Sequence, residues 1–406
     1  MEIRNIKIIV KSLGPVENAE IDIPLNGITA IIGPTASGKT YLAEATFMAM
    51  ELFQIGLLKA YALDKHQVSE QLEGIIDVYM GSDFKSDATI QLIQDDGSRL
   101  EAFIHGDKID IRYTYNKELL RYVEKYLFTR PSMESVIEEL TRYARSSINV
   151  SEDIIKKIAE KIMEVFVRGT AHKALIEYVD KYREFLRRFS TLLTFGSVAY
   201  VPAERIALIT LLWPITRDVM HFYTARMLYE QGPSYPKPLL LRYLATLIEL
   251  LKLMTPEVVD GISKLVNIKP IFNEKDLTLW FEVQKLKLAP QHVSTGALQL
   301  TGLMPFLFNK RFKILVIEEP EINLHADKQL EIADMLWDVS DKSILITTHS
   351  DFLIMRLAKN SRRKPIRSFK PYILLNGRTR ELKVDEDGHI EEIETIAKTI
   401  DELLKS

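Results

Sequence analysis

The chain has 406 residues, and its 53 lysines and arginines nearly balance its 56 aspartates and glutamates, which leaves a formal net charge of −3. Apolar residues make up 47% and charged residues 27% of the sequence, which excludes a disordered chain and a uniformly basic coat for nucleic acid. The sequence contains no cysteine, so disulfides, thiolate nucleophiles and cysteine-ligated zinc are excluded as well.

The N-terminal residues carry no apolar run of the kind found in signal peptides. The longest apolar stretch, residues 207–215, is much shorter than the ~20 residues that cross a bilayer. We therefore expect a cytoplasmic protein that has no membrane as a partner.

The first part of the chain predicts strands followed by one long helix. Residues 2–11 and 19–23 alternate between apolar and polar positions, which predicts two strands with a turn at Gly14-Pro15 between them. Residues 28–32 are predicted to form a short buried strand, and a helix with an apolar face is expected from Lys39 to about Ala60.

The middle and last parts differ in their patterns. Residues 74–115 contain short alternating segments that end at turn signals, which predicts an antiparallel β lobe. The pattern from Lys117 to Arg188 predicts a helical arm, and residues 206–266 predict a second helical block. Strands and helices then alternate from a strand at 313–317 onwards, which is typical of a parallel sheet covered on both faces.

The predicted fold class is therefore α/β, with a mostly parallel sheet flanked by helices, an antiparallel β lobe and a helical arm. We expect an N-terminal part of the core with the β lobe, a helical arm, a strand with a helical subdomain, and a C-terminal part of the core. Their boundaries are 1–116, 117–190, 191–270 and 271–406.

The segment between the buried strand and the long helix fits G-x-x-x-x-G-K-[ST] at every fixed position. Its residues are Gly33, Pro34, Thr35, Ala36, Ser37, Gly38, Lys39 and Thr40. Glycines let successive main-chain N–H groups turn toward a phosphate, and the helix N-terminus adds a positive dipole. We predict that this loop binds a nucleoside triphosphate, with Lys39 at the β- and γ-phosphates and the Thr40 hydroxyl on Mg²⁺.

The apolar strand at 313–317 is followed by two acids, Glu318 and Glu319, as in a Walker B strand. Such an ending delivers carboxylates beside the phosphate site. We predict that Glu318 helps to hold Mg²⁺ and that Glu319 polarises the attacking water as general base.

Two further motifs lie close to this strand in the sequence. Ser294 and Gly296 precede an apolar helical run, where they either cap the helix or donate hydrogen bonds to an anion. His349 follows the next apolar strand, at the sheet edge where ligands bind. It is either structural or a hydrogen-bond partner of a γ-phosphate or the attacking water.

The ordered motifs resemble those of ABC-type ATPases of the SMC, RecF and OLD group, above all the stand-alone or defence-associated AAA-family ATPases. These motifs are G-P-T-A-S-G-K-T, S-T-G, I-E-E-P-E-I-N-L-H and T-T-H-S-D. The resemblance covers roughly residues 1–60 and 275–360 and implies a P-loop NTPase of ABC-ATPase type. In that family two chains close head to tail around two ATP molecules with Mg²⁺.

The resemblance also implies roles for individual residues. Ser294 and Gly296 would contact the γ-phosphate of the nucleotide bound by the opposite subunit. Glu319 would be the catalytic glutamate, His349 the switch histidine, and residues 323–325 part of the loop that crosses the dimer interface.

The family's Q-loop usually falls where this chain has Ala203, Glu204 and Arg205. The usual glutamine is absent, with Ala203 in its place. Either Glu204 or Arg205 substitutes for the glutamine, or the segment is a plain turn from strand to helix.

By this resemblance we expect an ATPase that forms a homodimer through ATP and acts as a switch on DNA or on a separately encoded effector protein, in DNA repair or anti-phage defence. The alternative is a slow-turnover, ATP-dependent dimerisation scaffold without DNA contact. A transporter ATPase subunit is disfavoured by the S-T-G signature and by the lack of a membrane segment.

The charges are segregated near the end of the chain. Residues 356–383 hold ten lysines and arginines against one acid, Glu381, whereas residues 384–406 hold eight acids against two lysines. The basic segment either faces DNA or an acidic partner, or it pairs with the acidic segment that follows it.

Overall fold

The computed structural model describes residues 5–62, 65, 67–73, 87–106, 108–117, 198–212, 238–273, 278–310 and 312–390. Apart from Lys117, the predicted helical arm lies outside these residues.

The N-terminal elements are those predicted from the sequence. Strands β1 (Asn5–Leu13) and β2 (Val16–Pro24) form an antiparallel hairpin, and β3 (Ile28–Ile32) leads into helix α1 (Lys39–Ala62). The alternating pattern of β1 places Ile6, Ile8 and Val10 in the core, because successive side chains of a strand point to opposite faces.

The antiparallel lobe continues the same sheet. Its strands are β4 (Gln67–Glu73), β5 (Asp87–Gln94), β6 (Arg99–His105) and β7 (Lys108–Thr114). Strand β5 pairs with β1, so the lobe is joined edge to edge with the N-terminal hairpin and is not a separate layer.

The parallel part of the sheet contains β3 at its centre. It is completed by β8 (Val198–Val201), β12 (Ile314–Glu318), β13 (Ser343–Thr348) and β14 (Phe369–Leu375). These strands lie in the order β14-β3-β13-β12-β8, and β15 (Arg378–Glu381) connects β14 to β2. Within the described ranges the result is one mixed sheet of 12 strands, in which the expected parallel core and the β lobe are continuous.

Helices and a small sheet complete the described structure. A short helix, Arg205–Ala207, continues as a π-helical turn, Leu208–Leu212. The longer helices are α2 (Pro238–Lys252), α3 (Pro256–Val266), α4 (Thr295–Phe308), α5 (Ala326–Asp338) and α6 (Asp351–Arg363). A separate antiparallel sheet consists of β9 (Lys269–Asn273), β10 (Thr278–Val283) and β11 (Leu286–Leu288).

The core lies on both faces of the large sheet, and the side chains of β3 pack into both halves of it. Ile31 packs in the cluster that contains α1 and the β lobe, whereas Ile28, Ala30 and Ile32 pack in the cluster that contains α4, α5 and α6. A strand covered on both faces must be apolar at every position, which explains the continuous apolar sequence of β3.

A buried arginine ties this core together. Arg367 donates hydrogen bonds to the carbonyls of Leu336, Val339, Gly27 and Lys342. Burial lowers the pKa of its guanidinium to about 10. Its hydrogen bonds connect the start of β3 with the end of α5 and the start of β13.

Several lysines and arginines of the basic segment form ion pairs with acids on neighbouring elements. Its ion pairs include Arg356–Asp334, Lys364–Asp338, Lys370–Asp22 and Arg378–Glu17, with N···O distances of 2.8, 3.2, 2.8 and 2.8 Å. The acidic segment takes part through Val384 and Asp385, whose carbonyls accept from Arg362. Much of the basic segment therefore pairs within the fold.

Among the described helices, none is both long and apolar enough to span a bilayer.

Candidate functional site

The predicted site residues gather at one edge of the large sheet. The loop after β3 contains Lys39, the end of β12 carries Glu318 and Glu319, and the end of β13 leads to His349. Because β3, β13 and β12 are parallel neighbours, these segments emerge side by side at the carboxyl ends of the strands. This is the edge where α/β proteins bind ligands.

The phosphate loop has the backbone that its glycines allow. Gly38 has φ +102°, and Ala36 adopts a left-handed φ of +61°. At Gly33 a Cβ atom would lie 2.5 Å from the carbonyl oxygen of Leu374 on β14, which leaves no room for a side chain. Pro34, Thr35 and Ala36 are exposed, so the outer part of the loop is open to a ligand.

Lys39 lies folded over the loop. Its Nζ donates to the carbonyls of Gly33 at 2.9 Å and Pro34 at 2.8 Å. Burial lowers the pKa of its ammonium group, while the nearby carboxylates of Glu319, Glu321 and Glu318 act in the opposite direction. A buried ammonium inside a phosphate loop is a ready partner for a phosphate.

Glu318 and Thr40 are in direct contact. The Thr40 hydroxyl and the Ala203 main-chain N–H both donate to the Glu318 carboxylate. Glu318 is only 2% exposed, and burial, together with the negative charges of Glu44 and Glu204, raises its pKa to about 8. One carboxylate oxygen, Oε1, is buried without a hydrogen-bond partner.

These two residues fit a magnesium ion. A hydroxyl and a carboxylate with a free buried oxygen are hard oxygen donors, and Mg²⁺ is commonly held by one or two such groups together with phosphates. No group of three or more His, Cys, Asp or Glu side chains within the described ranges is placed to hold a metal. Phosphate oxygens of a bound nucleotide and water molecules would supply the other ligands of a magnesium ion here.

Glu319 and His349 face one another. His349 Nε2 lies 3.6 Å from Glu319 Oε1, and both side chains are partly exposed. Burial and the Lys39 charge lower the pKa of His349 below 6.5, so the imidazole is neutral at neutral pH. Glu319 has a left-handed φ of +43°, and its N–H donates to the Thr347 carbonyl at 2.9 Å.

Glu321 is a residue of this site that the sequence analysis missed. Its Oε1 accepts from the Thr348 hydroxyl at 2.6 Å and from the His349 N–H at 2.9 Å. Its other oxygen is buried without a partner, and burial raises the pKa of the carboxyl. Glu321 thus fixes the main chain that carries His349.

The signature residues stand at the start of α4. Ser294 is the N-cap and accepts from the Ala297 N–H at 3.4 Å, as the capping alternative predicts, yet it is exposed. Gly296 is buried, and a Cβ atom there would lie 3.2 Å from Leu324. The structure therefore places the signature against the loop that follows Glu319, with the hydroxyl of Ser294 near the surface.

The three tentative Q-loop residues differ in burial and in contacts. Ala203 contacts Glu318 through its main chain, and Glu204 is exposed. Arg205 is fully buried and donates to the carbonyls of Glu318 at 2.7 Å and Glu319 at 2.6 Å. The guanidinium is thus buried against main-chain oxygens at the end of β12.

Gln299 on α4 is a second residue that the sequence analysis missed. Its Nε2 donates to the carbonyls of Glu319 at 3.3 Å and Pro320 at 3.0 Å. Its position in a mostly apolar run, which also contains Thr301, is the only sequence signal that points to it.

Together these side chains form a site suited to phosphate chemistry. It contains a phosphate-binding loop with its lysine, a carboxylate beside a hydroxyl, and a second carboxylate beside a neutral imidazole. The first set is chemically suited to bind phosphates, and the second to accept a proton from water.

Comparison with protein families gives one match. Residues 242–354 match the family model described as an AAA ATPase domain. This segment includes the signature, the acidic strand end and His349 but not the phosphate loop. No curated protein matches the chain in sequence.

Several solved structures are similar to the chain at low identity. An SMC head domain from Thermotoga maritima is 11% identical, with 95% of this chain and 100% of that chain covered and a TM-score of 0.40. An Smc head domain from Pyrococcus furiosus, bound to the C-terminal domain of ScpA, is 13% identical, with 99% of each chain covered and a TM-score of 0.41. A bacterial ABC transporter cassette is 12% identical, with 94% and 99% covered and a TM-score of 0.32.

Because these TM-scores are below 0.5, we base the assignment on the motifs and the family match. The matched segment, residues 242–354, indicates an ATPase domain, and the motifs within it resemble those of ABC-type ATPases of the SMC, RecF and OLD group.

Proposed function

We propose that this protein binds ATP with Mg²⁺, hydrolyses it to ADP and phosphate, and forms a head-to-tail homodimer while ATP is bound. The observation that carries the proposal is the pairing of Thr40 with Glu318 next to the pairing of Glu319 with His349. The first pair offers ligands for the metal, and the second offers a base.

In this proposal each residue has a task that its position supports. The phosphate loop and Lys39 bind the β- and γ-phosphates, and Thr40 and Glu318 hold Mg²⁺, which neutralises charge that develops on the phosphates. Glu319 orients the attacking water and accepts its proton. The neutral His349 donates a hydrogen bond to the γ-phosphate or the water.

Dimerisation is supported by the exposure of Ser294 in the signature. Ser294 is exposed at the N-terminus of α4, where its hydroxyl and the helix dipole are available to an anion. In a head-to-tail dimer this surface would meet the γ-phosphate bound by the other subunit. The exposed Asn323 and His325 would lie at the same interface.

We further propose that the dimer acts, in the cytoplasm, as a switch on a separately encoded effector protein or on DNA. The ion pairs of the basic segment favour the effector, since cations held by Asp334, Asp338, Asp22 and Glu17 are less available to DNA phosphates.

The test compares two variants with the wild type for phosphate release and for mass in solution with ATP and Mg²⁺. Glu319→Gln should bind ATP, accumulate as a dimer and lose about 100-fold or more in kcat, in the usual range for a general base. Lys39→Ala should stay monomeric and inactive. If the mass of all three proteins is the same with and without ATP, the dimer switch is wrong.

The choice of partner needs its own measurement. Affinity for double-stranded DNA is measured at two salt concentrations with the ATP-bound Glu319→Gln protein. Binding to DNA phosphates would weaken steeply as salt rises. No binding at low salt would leave the effector protein as the partner.

A further inference from the structure

The inference rests on the proposed function and concerns what holds the general base in place. We propose that Gln299 and Arg205 are positioning residues that fix the main chain of Glu319 and make the signature helix α4 part of the same rigid unit.

Both side chains converge on one atom. The Glu319 carbonyl oxygen accepts from Arg205 Nη2 at 2.6 Å and from Gln299 Nε2 at 3.3 Å. Arg205 also donates to the carbonyl of Glu318, and Gln299 also donates to that of Pro320. Three consecutive carbonyls are therefore held by two side chains that are fully buried.

The main chain at this point needs such support. Glu319 has a φ of +43°, in a left-handed region that residues with a Cβ atom seldom occupy. A conformation of this kind persists only when its surroundings over-determine it. Because φ and ψ set the direction of the Cα–Cβ bond, relaxation of Glu319 would move its carboxylate away from the attacking water.

A role in stabilising the core does not explain why residue 299 is a glutamine. Its Oε1 is buried without a partner, which is unfavourable. A methionine of similar shape would fill the same space without that penalty. The feature that methionine cannot supply is the pair of N–H groups directed at Glu319 and Pro320.

The hydrogen bond from Gln299 to Glu319 also connects the general base to the signature helix. It lies on α4, less than one turn after Gly296, so the signature and the general base of one chain are joined by hydrogen bonds. In the proposed dimer the signature meets the nucleotide of the opposite subunit. We call the hydrogen bonds of Gln299 and Arg205 to the carbonyls of residues 318–320 the clamp. The clamp would connect closure of the dimer on one nucleotide with the position of the Glu319 carboxylate at the other nucleotide.

The test is Gln299→Met in the full chain, with Thr301→Val as the matched control. Thr301 is buried on the same helix, but its hydroxyl bonds only within α4, to the Ala297 carbonyl at 2.8 Å. Steady-state kcat and KM, ATP affinity, ATP-dependent mass and melting temperature are measured for both. Arg205→Lys is a third variant, which keeps a buried cation but not the planar fork of donors.

We expect kcat of Gln299→Met to fall about 10- to 100-fold, as for a base displaced by about 1 Å, with KM and ATP affinity within about 2-fold of wild type. Thr301→Val should keep wild-type kcat, and Arg205→Lys should lie between Gln299→Met and wild type. If Gln299→Met hydrolyses ATP as fast as Thr301→Val, the clamp is not needed and the inference is wrong, while the proposed function stands. If the wild type hydrolyses no more ATP than Lys39→Ala, both are wrong.

Discussion

Glu321 offers a stability test of the network that carries His349. Its Oε1 accepts from the Thr348 hydroxyl and the His349 N–H, at 2.6 and 2.9 Å. Glu321→Ala removes the acceptor and leaves both donors in a largely buried place. Glu321→Gln keeps an oxygen in the same position and removes only the charge.

The expected size follows from the groups left without partners. A buried donor that loses its hydrogen bond costs about 1–3 kcal/mol, so Glu321→Ala should lose about 2–6 kcal/mol in free energy of unfolding. With an unfolding entropy of ~2.1 cal/mol/K per residue, the melting temperature of a 406-residue chain shifts by about 1.2 °C per kcal/mol, so it should fall by about 2–7 °C. Glu321→Gln should stay within about 1 kcal/mol of wild type, because both acceptor bonds remain.

The pH dependence has a definite direction. Burial raises the pKa of Glu321 above its ordinary 4.5. A carboxyl whose pKa is higher in the folded state contributes stability below its unfolded pKa and loses that contribution as pH rises through the folded value. The Gln side chain does not titrate, so Glu321→Gln should gain stability relative to wild type between about pH 5 and pH 8.

Thermal unfolding of the three proteins at both pH values is the assay, with phosphate release as a second readout. Equal melting temperatures for the Ala and Gln variants would refute the role assigned to the two hydrogen bonds. A stability difference between Gln and wild type that falls as pH rises would refute the assigned pKa direction.

Two further predictions concern the loop and the basic segment. Gly33→Ala should abolish ATP binding and lower the melting temperature, because the added Cβ would lie 2.5 Å from the Leu374 carbonyl oxygen. Wild-type affinity in a fluorescent-nucleotide titration would contradict this steric reason. Hydrogen bonds from Arg356 and Asn360 overcome the effect of burial and hold the pKa of Asp334 below 3.8. The stability that Asp334 contributes is present above pH 3.8 and is lost as pH falls through the lower folded pKa. Asp334→Asn should therefore weaken the fall of the melting temperature at acidic pH. An unchanged fall would contradict the role assigned to Asp334.

Much of the fold was predictable because it depends on local patterns. The strand expected at 313–317 is β12, one residue later, and the helix expected from Lys39 is α1. Strand β9 was missed since Pro270 interrupts its pattern, and proline is tolerated there because β9 is an edge strand. The continuity of the β lobe with the core was also beyond the sequence, since pairing of β1 with β5 leaves no periodic signal.

In the site, motif spacing indicated which residues come together but not what supports them. Lys39, Glu318 and Glu319 could be predicted because each is tied to a strand end or helix start. Arg205 and Gln299 could not, because their partners are main-chain carbonyls that only the folded chain brings near. A main-chain carbonyl is the same in every residue type, so a hydrogen bond to it leaves no pattern in the sequence.

The position of β3 has a consequence for how the protein is made. Ile28 pairs with Ile344 on β13 and with Phe369 on β14, so the strand that carries the phosphate loop has partners only near the other end of the chain. During synthesis the β1–β2 hairpin and the antiparallel lobe form from nearby segments, while β3 waits with both edges unpaired. Contacts this distant in sequence form slowly, and exposed strand edges invite aggregation. Nascent chains should therefore gain a phosphate-binding loop last, after β14 has been made.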